Sequence, residues 1–144
     1  MRHHLILRVI AKLLIPAILL FALYVQFHGD FGPGGGFQAG VIFAAGIILY
    51  GLIFGVDTAQ RVVPPKVVEI LVAAGFTLYA AVGVASMLLG ANYLDYSALA
   101  HEPTHGQYWG ILLIEFGVGV TVASVMITVF YSFATRGRGV GDAE

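Results

Sequence analysis

Residues 28–40 read His-Gly-Asp-Phe-Gly-Pro-Gly-Gly-Gly-Phe-Gln-Ala-Gly, and this stretch separates two long apolar runs. Pro33 has no N–H to donate, and three successive glycines bring no side chain to pack, so neither run can continue through it as a helix. The stretch is therefore predicted to be a turn with unusually bare backbone. Its glycines also precede a helix start, where free N–H groups and the positive end of the helix dipole favour negative charge.

The composition outside this turn is that of a membrane protein. The 144 residues are 59% hydrophobic and only 10% charged, with a mean hydropathy of +0.91. One small soluble core could not bury so much apolar surface. The formal net charge of −1 offers no basic surface for nucleic acid, so we expect no nucleic-acid partner. Cysteine is absent from the sequence, which excludes disulfides and thiolate metal sites.

Four apolar segments are each near the length of about 20 residues that a helix needs to cross a bilayer. They cover residues 5–27, 37–56, 67–90 and 108–133. Backbone groups in lipid must be paired within a segment, so such runs predict helices. We therefore expect an all-α integral membrane protein with four transmembrane helices, forming one domain over residues 1–144 with a flexible tail at 136–144. No small-x-small cleavage site follows the first run, so it is interpreted as a retained span.

The cations predict the orientation of these spans. All seven Lys and Arg residues lie before or at the start of the first span, between the second and third, or after the fourth: Arg2, Arg8, Lys12, Arg61, Lys66, Arg136 and Arg138. The turn at 28–36 and the segment 91–107 carry none. Because positive charge is retained on the inner side, both termini are predicted to be cytoplasmic and the glycine turn to face outward.

Small residues recur at four-residue spacing on the predicted helices. Such faces let helix backbones approach closely, which is how helices associate where lipid supplies no hydrophobic drive. They are predicted to be packing seams, within the chain or against other membrane subunits. The positions are Gly36, Gly40 and Ala44; Gly51 and Gly55; Ala81 and Ala85; and Gly119 and Ala123.

Glu115 is the candidate functional ionisable residue. It lies about two turns, roughly 10 Å, inside the last span from its outer end. A carboxylate at that depth must be paired, protonated or facing water, so it indicates an ion path, although a hydrogen-bonded packing role is the alternative. His28 and Asp30, at the outward turn, are further ion-path candidates, with an ordinary surface turn as the alternative. Phe37 is expected to plug the top of the bundle or a seam between subunits.

Residues 101–105 read His-Glu-Pro-Thr-His, which matches the His-Glu-x-x-His string of zinc proteases. That chemistry needs both histidines on one face of a regular helix, with the glutamate activating a zinc-bound water. Pro103 is accepted only in the first turn of a helix, which would leave His101 outside it. We interpret the match as chance, and expect neither a metal, a cofactor nor a catalytic residue.

The block at 28–40, between hydrophobic segments, resembles the B subunit (MrpB, also called MnhB) of the multisubunit Mrp-type sodium/proton antiporters. The resemblance extends over nearly the whole chain, including Phe54-Gly55-Val56-Asp57 and Glu115-Phe116-Gly117-Val118. Asp30, Ala39 and the longer spacing depart from the family pattern His-Asn-x-Pro-Gly-Gly-Gly-Phe-x-Gly-Gly. The positions carried over as loop-shaping are His28, Pro33, Gly34, Gly35, Gly36 and Phe37.

This resemblance implies a transporter subunit in a bacterial or archaeal cytoplasmic membrane, and not an enzyme. It implies exchange of cytoplasmic Na⁺ for external H⁺, with other membrane subunits as partners. A related alternative is the equivalent subunit of a membrane-bound hydrogenase-type complex. The alternatives from other classes are a zinc membrane protease built on residues 101–105 and a stand-alone small channel or structural protein.

Overall fold

The computed structural model describes residues 3–29, 34–100 and 102–136. These residues form five α-helices and one short 3₁₀ turn at Tyr96–Leu99, and none of them lies in a strand. Four helices are long and apolar enough to cross a membrane, so the predicted all-α fold with four spans is confirmed. The helices are α1 (His3–Phe27), α2 (Gly36–Phe54), α3 (Val56–Val62), α4 (Pro65–Leu88) and α5 (Pro103–Arg136).

Most bounds agree with the sequence prediction to within three residues, and two differences affect the architecture. The second run breaks at Gly55, where a φ of +98° favours glycine, and the chain continues as the short helix α3, which the sequence reading took for a loop. Helix α5 begins at Pro103, five residues earlier than predicted, because proline fits the first turn of a helix. Arg136, the first residue of the predicted flexible tail, ends α5, and the rest of that tail, residues 137–144, lies outside the described residues.

The spans pack in a row, with α1 against α2, α2 against α5, and α5 against α4. The apolar core lies between α2, α3, α4 and α5, towards the end of the bundle at which α3 lies. Its buried members are Ala44, Ile47, Ala59, Val68, Ile127 and Tyr131. The Tyr131 hydroxyl donates a hydrogen bond of 3.1 Å to the carbonyl of Val63, which fastens the α3–α4 connection to α5.

Large apolar side chains cover the outside of the row, including Leu13, Leu20 and Phe133, each at least 70% exposed. Such a surface suits lipid or other membrane subunits rather than water. The described Lys and Arg side chains lie at the end of the helix bundle, along the helix axes, that is opposite the glycine turn. They are on the first half of α1, the end of α3, the start of α4 and the end of α5. The structure thus has one cationic end and one glycine-rich end.

Candidate functional site: a carboxylate against the glycine turn

The start of α2 crosses the middle of α5 at backbone-to-backbone distance. A Cβ built on Gly36 would collide with the backbone carbonyl of Glu115, and one on Gly40 would lie 2.6 Å from the carbonyl oxygen of Gly119. No larger residue fits at Gly36 without moving one of the two helices. The glycines that end the turn therefore bring the N-terminus of α2 directly onto the residue that the sequence singled out.

The Glu115 side chain lies against the bare backbone of the turn. A Cβ on Gly29 would lie 3.1 Å from Oε2 and 3.2 Å from Oε1 of Glu115, and a Cβ on Gly35 would lie 3.0 Å from Oε1. The carboxylate thus occupies space that side chains at either glycine would fill. The structure brings the candidate acid together with both ends of the turn.

Backbone hydrogen bonds attach the turn to the end of α1. The backbone N–H of Gly35 donates to the carbonyl of Val25 at 3.2 Å, and the N–H of His28 donates to the same carbonyl at 3.4 Å. Gly34 packs equally closely, since a Cβ on it would lie 2.8 Å from that oxygen. The end of α1, the start of α2 and the middle of α5 consequently meet at one place.

The local field favours an anion there. Gly35 is the N-cap of the 19-residue helix α2, so the carboxylate of Glu115 lies at the positive end of a helix dipole. Glu115 is only partly buried, and it lies twelve residues into a helix of 34. An acid in this position can hold negative charge inside a membrane span at lower cost than on a bare helix face.

Gln26 is a polar residue of this site that the sequence analysis did not select. Its side chain is 6% exposed, and its Oε1 would lie 2.8 Å from a Cβ on Gly119. Its Nε2 is buried and makes no hydrogen bond to any described residue. It borders a mostly apolar cavity of about 330 Å³ between α1, α2, α4 and α5. The available signal was a glutamine in the last turn of α1, within the otherwise apolar run after Lys12.

The other sequence-predicted site residues are placed as follows. The ring of His28 stacks on Tyr24, with centroids 4.9 Å apart and planes 20° apart, and it is half-buried. Asp30 and Pro33 lie outside the described residues. Phe37 is 64% exposed, so it does not plug the bundle of this chain because its side chain points away from it. A seam between subunits remains the prediction for Phe37.

Some of the predicted packing positions make contacts within the chain, and others do not. Gly51 faces the ring of Phe130, with 2.7 Å between its Cβ position and Cε1, and Ala123 is buried against Gly40. Gly55 packs against nothing in the described residues, since nothing lies within 4 Å of its Cβ position, and its positive φ makes it the break between α2 and α3. A contact of Gly55 with another subunit stays a prediction.

The predicted seam on α4 is not used within the described part of this chain, and a seam against another subunit stays a prediction for it. Ala81 is exposed and Ala85 only half-buried, so they do not form the contact with α5. That contact is made at Gly75, whose Cβ position lies 2.8 Å from the carbonyl oxygen of Gly117. A lone glycine carries no four-residue pattern, which explains why the sequence did not reveal it.

The protease-like string forms no described metal centre. His105 Nδ1 lies 3.9 Å from Glu102 Oε2, and both side chains are 74% exposed, while His101 lies outside the described residues. Over residues 3–29, 34–100 and 102–136, no three His, Cys, Asp or Glu side chains come together as metal ligands.

Comparison with known proteins adds a family likeness over the same region. The sequence model of a family described as "Domain related to MnhB subunit of Na+/H+ antiporter" matches residues 6–128. A Staphylococcus haemolyticus protein whose name gives it as antiporter subunit mnhB2 is 30% identical over 132 residues, covering 90% of this chain and 93% of the relative. Its namesake from Staphylococcus aureus strain Newman is 33% identical over the same length and coverage.

Proposed function

Since the chain belongs to the family of MnhB-type antiporter subunits, we propose that it takes part in exchanging cytoplasmic Na⁺ for external H⁺, with Glu115 as its protonatable group. The chain is a transporter component rather than an enzyme, and a multi-pass protein of the bacterial cytoplasmic membrane. Membership of a multisubunit antiporter family implies other membrane subunits as its partners.

The observation that carries this proposal is the placement of the Glu115 carboxylate between Gly29 and Gly35. An acid inside a span is kept only where it is paired, protonated or reached by water. Here it lies against the turn that the cation distribution predicts to be external, so it is placed towards the side from which the exchanged protons come. The positive end of α2 stabilises the carboxylate after the proton leaves.

This chain supplies one step of a longer path. Among the described residues, Glu115 is the acid that lies more than two turns from either end of its helix; Glu69 lies only four residues after Pro65. A complete transmembrane relay needs further protonatable groups between the two sides. We infer that neighbouring subunits provide them and that the turn, shaped by Gly29, Gly34, Gly35 and Gly36, fixes where Glu115 meets that path.

The test is Glu115→Gln in the assembled complex, with Na⁺-dependent proton movement followed by a pH-sensitive dye in inverted membrane vesicles. Glutamine keeps the size and hydrogen-bonding capacity but cannot ionise. We expect exchange to fall by about a hundredfold or more, which is the lower end of what a positioned proton-transfer group contributes to a reaction, while co-purification with the other subunits is unchanged. Glu115→Asp should retain part of the activity with a displaced pH profile.

The matched control is Glu69→Gln, which removes one carboxylate from the start of α4, at the end of the bundle opposite the glycine turn. It should leave exchange within about twofold, because charged groups at span ends are solvated. Normal exchange and normal assembly in Glu115→Gln would refute the role given to Glu115. Loss of assembly alone would assign it to packing.

A further inference from the structure

A pocket lies between α1 and α2 at the cationic end of the bundle, opposite the glycine turn. The pocket has a volume of about 500 Å³. Four of its six lining side chains are apolar or aromatic and two are cationic: Ile15, Pro16, Tyr50, Phe54, Arg8 and Lys12. Nothing in the ion-exchange proposal uses it.

The two cations share one face of α1 and have no anionic partner among the residues that the structure describes. Arg8 and Lys12 are four residues apart, which places them one above the other on the helix. Neither forms an ion pair or a hydrogen bond with another described residue. Lys12 lies seven residues after Leu5, the start of the apolar span, or about 10 Å along the axis. A cation at that depth is held by an anion or by reaching to the interface.

The rest of the pocket lining, from both helices, is apolar or aromatic. The rings of Tyr50 and Phe54 pack together with centroids 4.9 Å apart, and Ile15 is 8% exposed. Aromatic side chains at this level of a membrane helix belong beside lipid headgroups and the first methylenes of the acyl chains. The pocket therefore offers two positive charges next to an apolar surface, between two transmembrane helices.

We propose that this pocket binds the phosphate of an anionic phospholipid, with Arg8 and Lys12 holding the headgroup and the Tyr50–Phe54 wall holding the adjoining chain. Basic pockets between transmembrane helices on the cytoplasmic side are suited to such headgroups. A zwitterionic lipid carries the same phosphate together with a cation that Arg8 and Lys12 repel, so the pocket discriminates by net headgroup charge. Lipid binding at this pocket does not depend on the proposed ion exchange.

The experiment uses the full chain in detergent, with lipid binding counted by native mass spectrometry. The probes are phosphatidylglycerol and phosphatidylcholine with identical acyl chains. We expect one phosphatidylglycerol to bind about thirtyfold more tightly than phosphatidylcholine, since each cation near an anionic headgroup contributes about fivefold. Arg8→Gln/Lys12→Gln should abolish the preference, and Lys12→Arg should keep it.

The matched control is Arg61→Gln/Lys66→Gln, which removes the same charge from the end of α3 and the start of α4, outside this pocket. It should retain the preference. An equal loss in both double variants would overturn the site in favour of general surface charge. Displacement of the lipid by millimolar inorganic phosphate would overturn a lipid as the ligand and assign a free anion. If the double variant is not recovered, Arg8→Gln alone should lose about fivefold, and an unchanged preference there contradicts the proposal.

Discussion

Helix α5 packs against both α2 and α4 through glycines that let the backbones approach closely, and one of these two contacts includes an ionisable side chain. At α2, the backbone of Gly36 touches the carbonyl of Glu115. At α4, the Cβ positions of Gly75 and Gly117 lie 2.8 Å and 3.0 Å from each other's carbonyl oxygens. The polar neighbour at α4 is Thr121, whose hydroxyl donates to the Gly117 carbonyl of its own helix at 2.8 Å.

The difference shows that close approach through glycine is a packing solution and does not by itself mark a functional site. The α4 contact satisfies its one hydroxyl locally, as Ser and Thr in helices commonly do. The α2 contact instead places a carboxylate at a helix N-terminus and beside a bare turn. Function therefore belongs to the combination of acid, helix end and turn, and the two contacts should respond differently to the same substitution.

The largest expected effect is that of Gly36→Ala. The added methyl overlaps the backbone carbonyl of Glu115, and no rotation of a side chain can relieve that collision. We expect the overlap to destabilise the chain by about 3 kcal/mol or more, above the usual range for an overpacked core, and to abolish exchange. Unfolding by sodium dodecyl sulfate, followed by circular dichroism, measures the stability.

Ala45→Leu is the control for Gly36→Ala, because residue 45 lies on the exposed face of the same helix. It should change neither stability nor exchange. A Gly36→Ala protein as stable as the parent would mean that α2 and α5 do not cross as closely as the contact requires.

An intermediate effect is expected from Gly75→Ala. Its methyl would meet the movable hydroxyl of Thr121 as well as the backbone carbonyl of Gly117. We expect a loss of about 1–3 kcal/mol in the free energy of unfolding, without any change in exchange per assembled complex. Gly75→Ala/Thr121→Ala should recover part of the stability, because the hydroxyl is removed. A fall in exchange per complex would contradict the division between the two contacts.

The sequence predicted the four spans, the carboxylate and the small residues at which α2 meets α5, but not which helices pair or how α4 meets α5. Span lengths follow from uninterrupted apolar runs, and Glu115 stands out because acids are rare inside them. Gly75 and Gln26 were missed, since the first has no small partner four residues away and the second resembles an ordinary helix-end residue. Gly55 fits the four-residue pattern yet serves as a break, because the pattern does not distinguish a seam from a positive φ.

The smallest expected effect concerns a third glycine contact of α5, which is filled by a side chain instead of a backbone. The ring of Tyr96 packs on Gly110, with 2.6 Å between Tyr96 Cβ and the Cβ position of that glycine. Burial, followed by the charges of Tyr79 and Tyr93, raises the pKa of Tyr96 above its ordinary value of 10.0. The stabilisation of this contact is therefore complete below pH 10.0 and is lost as the pH rises through the raised pKa, because the folded state resists forming the phenolate.

Cleavage of the segment 91–102 by subtilisin, a protease active in alkali, should therefore accelerate by about twofold to fivefold above that pKa. Tyr96→Phe removes the ionisable hydroxyl and should remove the acceleration, whereas Tyr108→Phe, on the exposed side of α5, should keep it. If Tyr96→Phe accelerates with pH as the parent does, ionisation of the Tyr96 hydroxyl is not what loosens this segment from α5. Among the contacts at Gly36, Gly75 and Gly110, the one at Glu115 would then be the one that depends on an ionisable group.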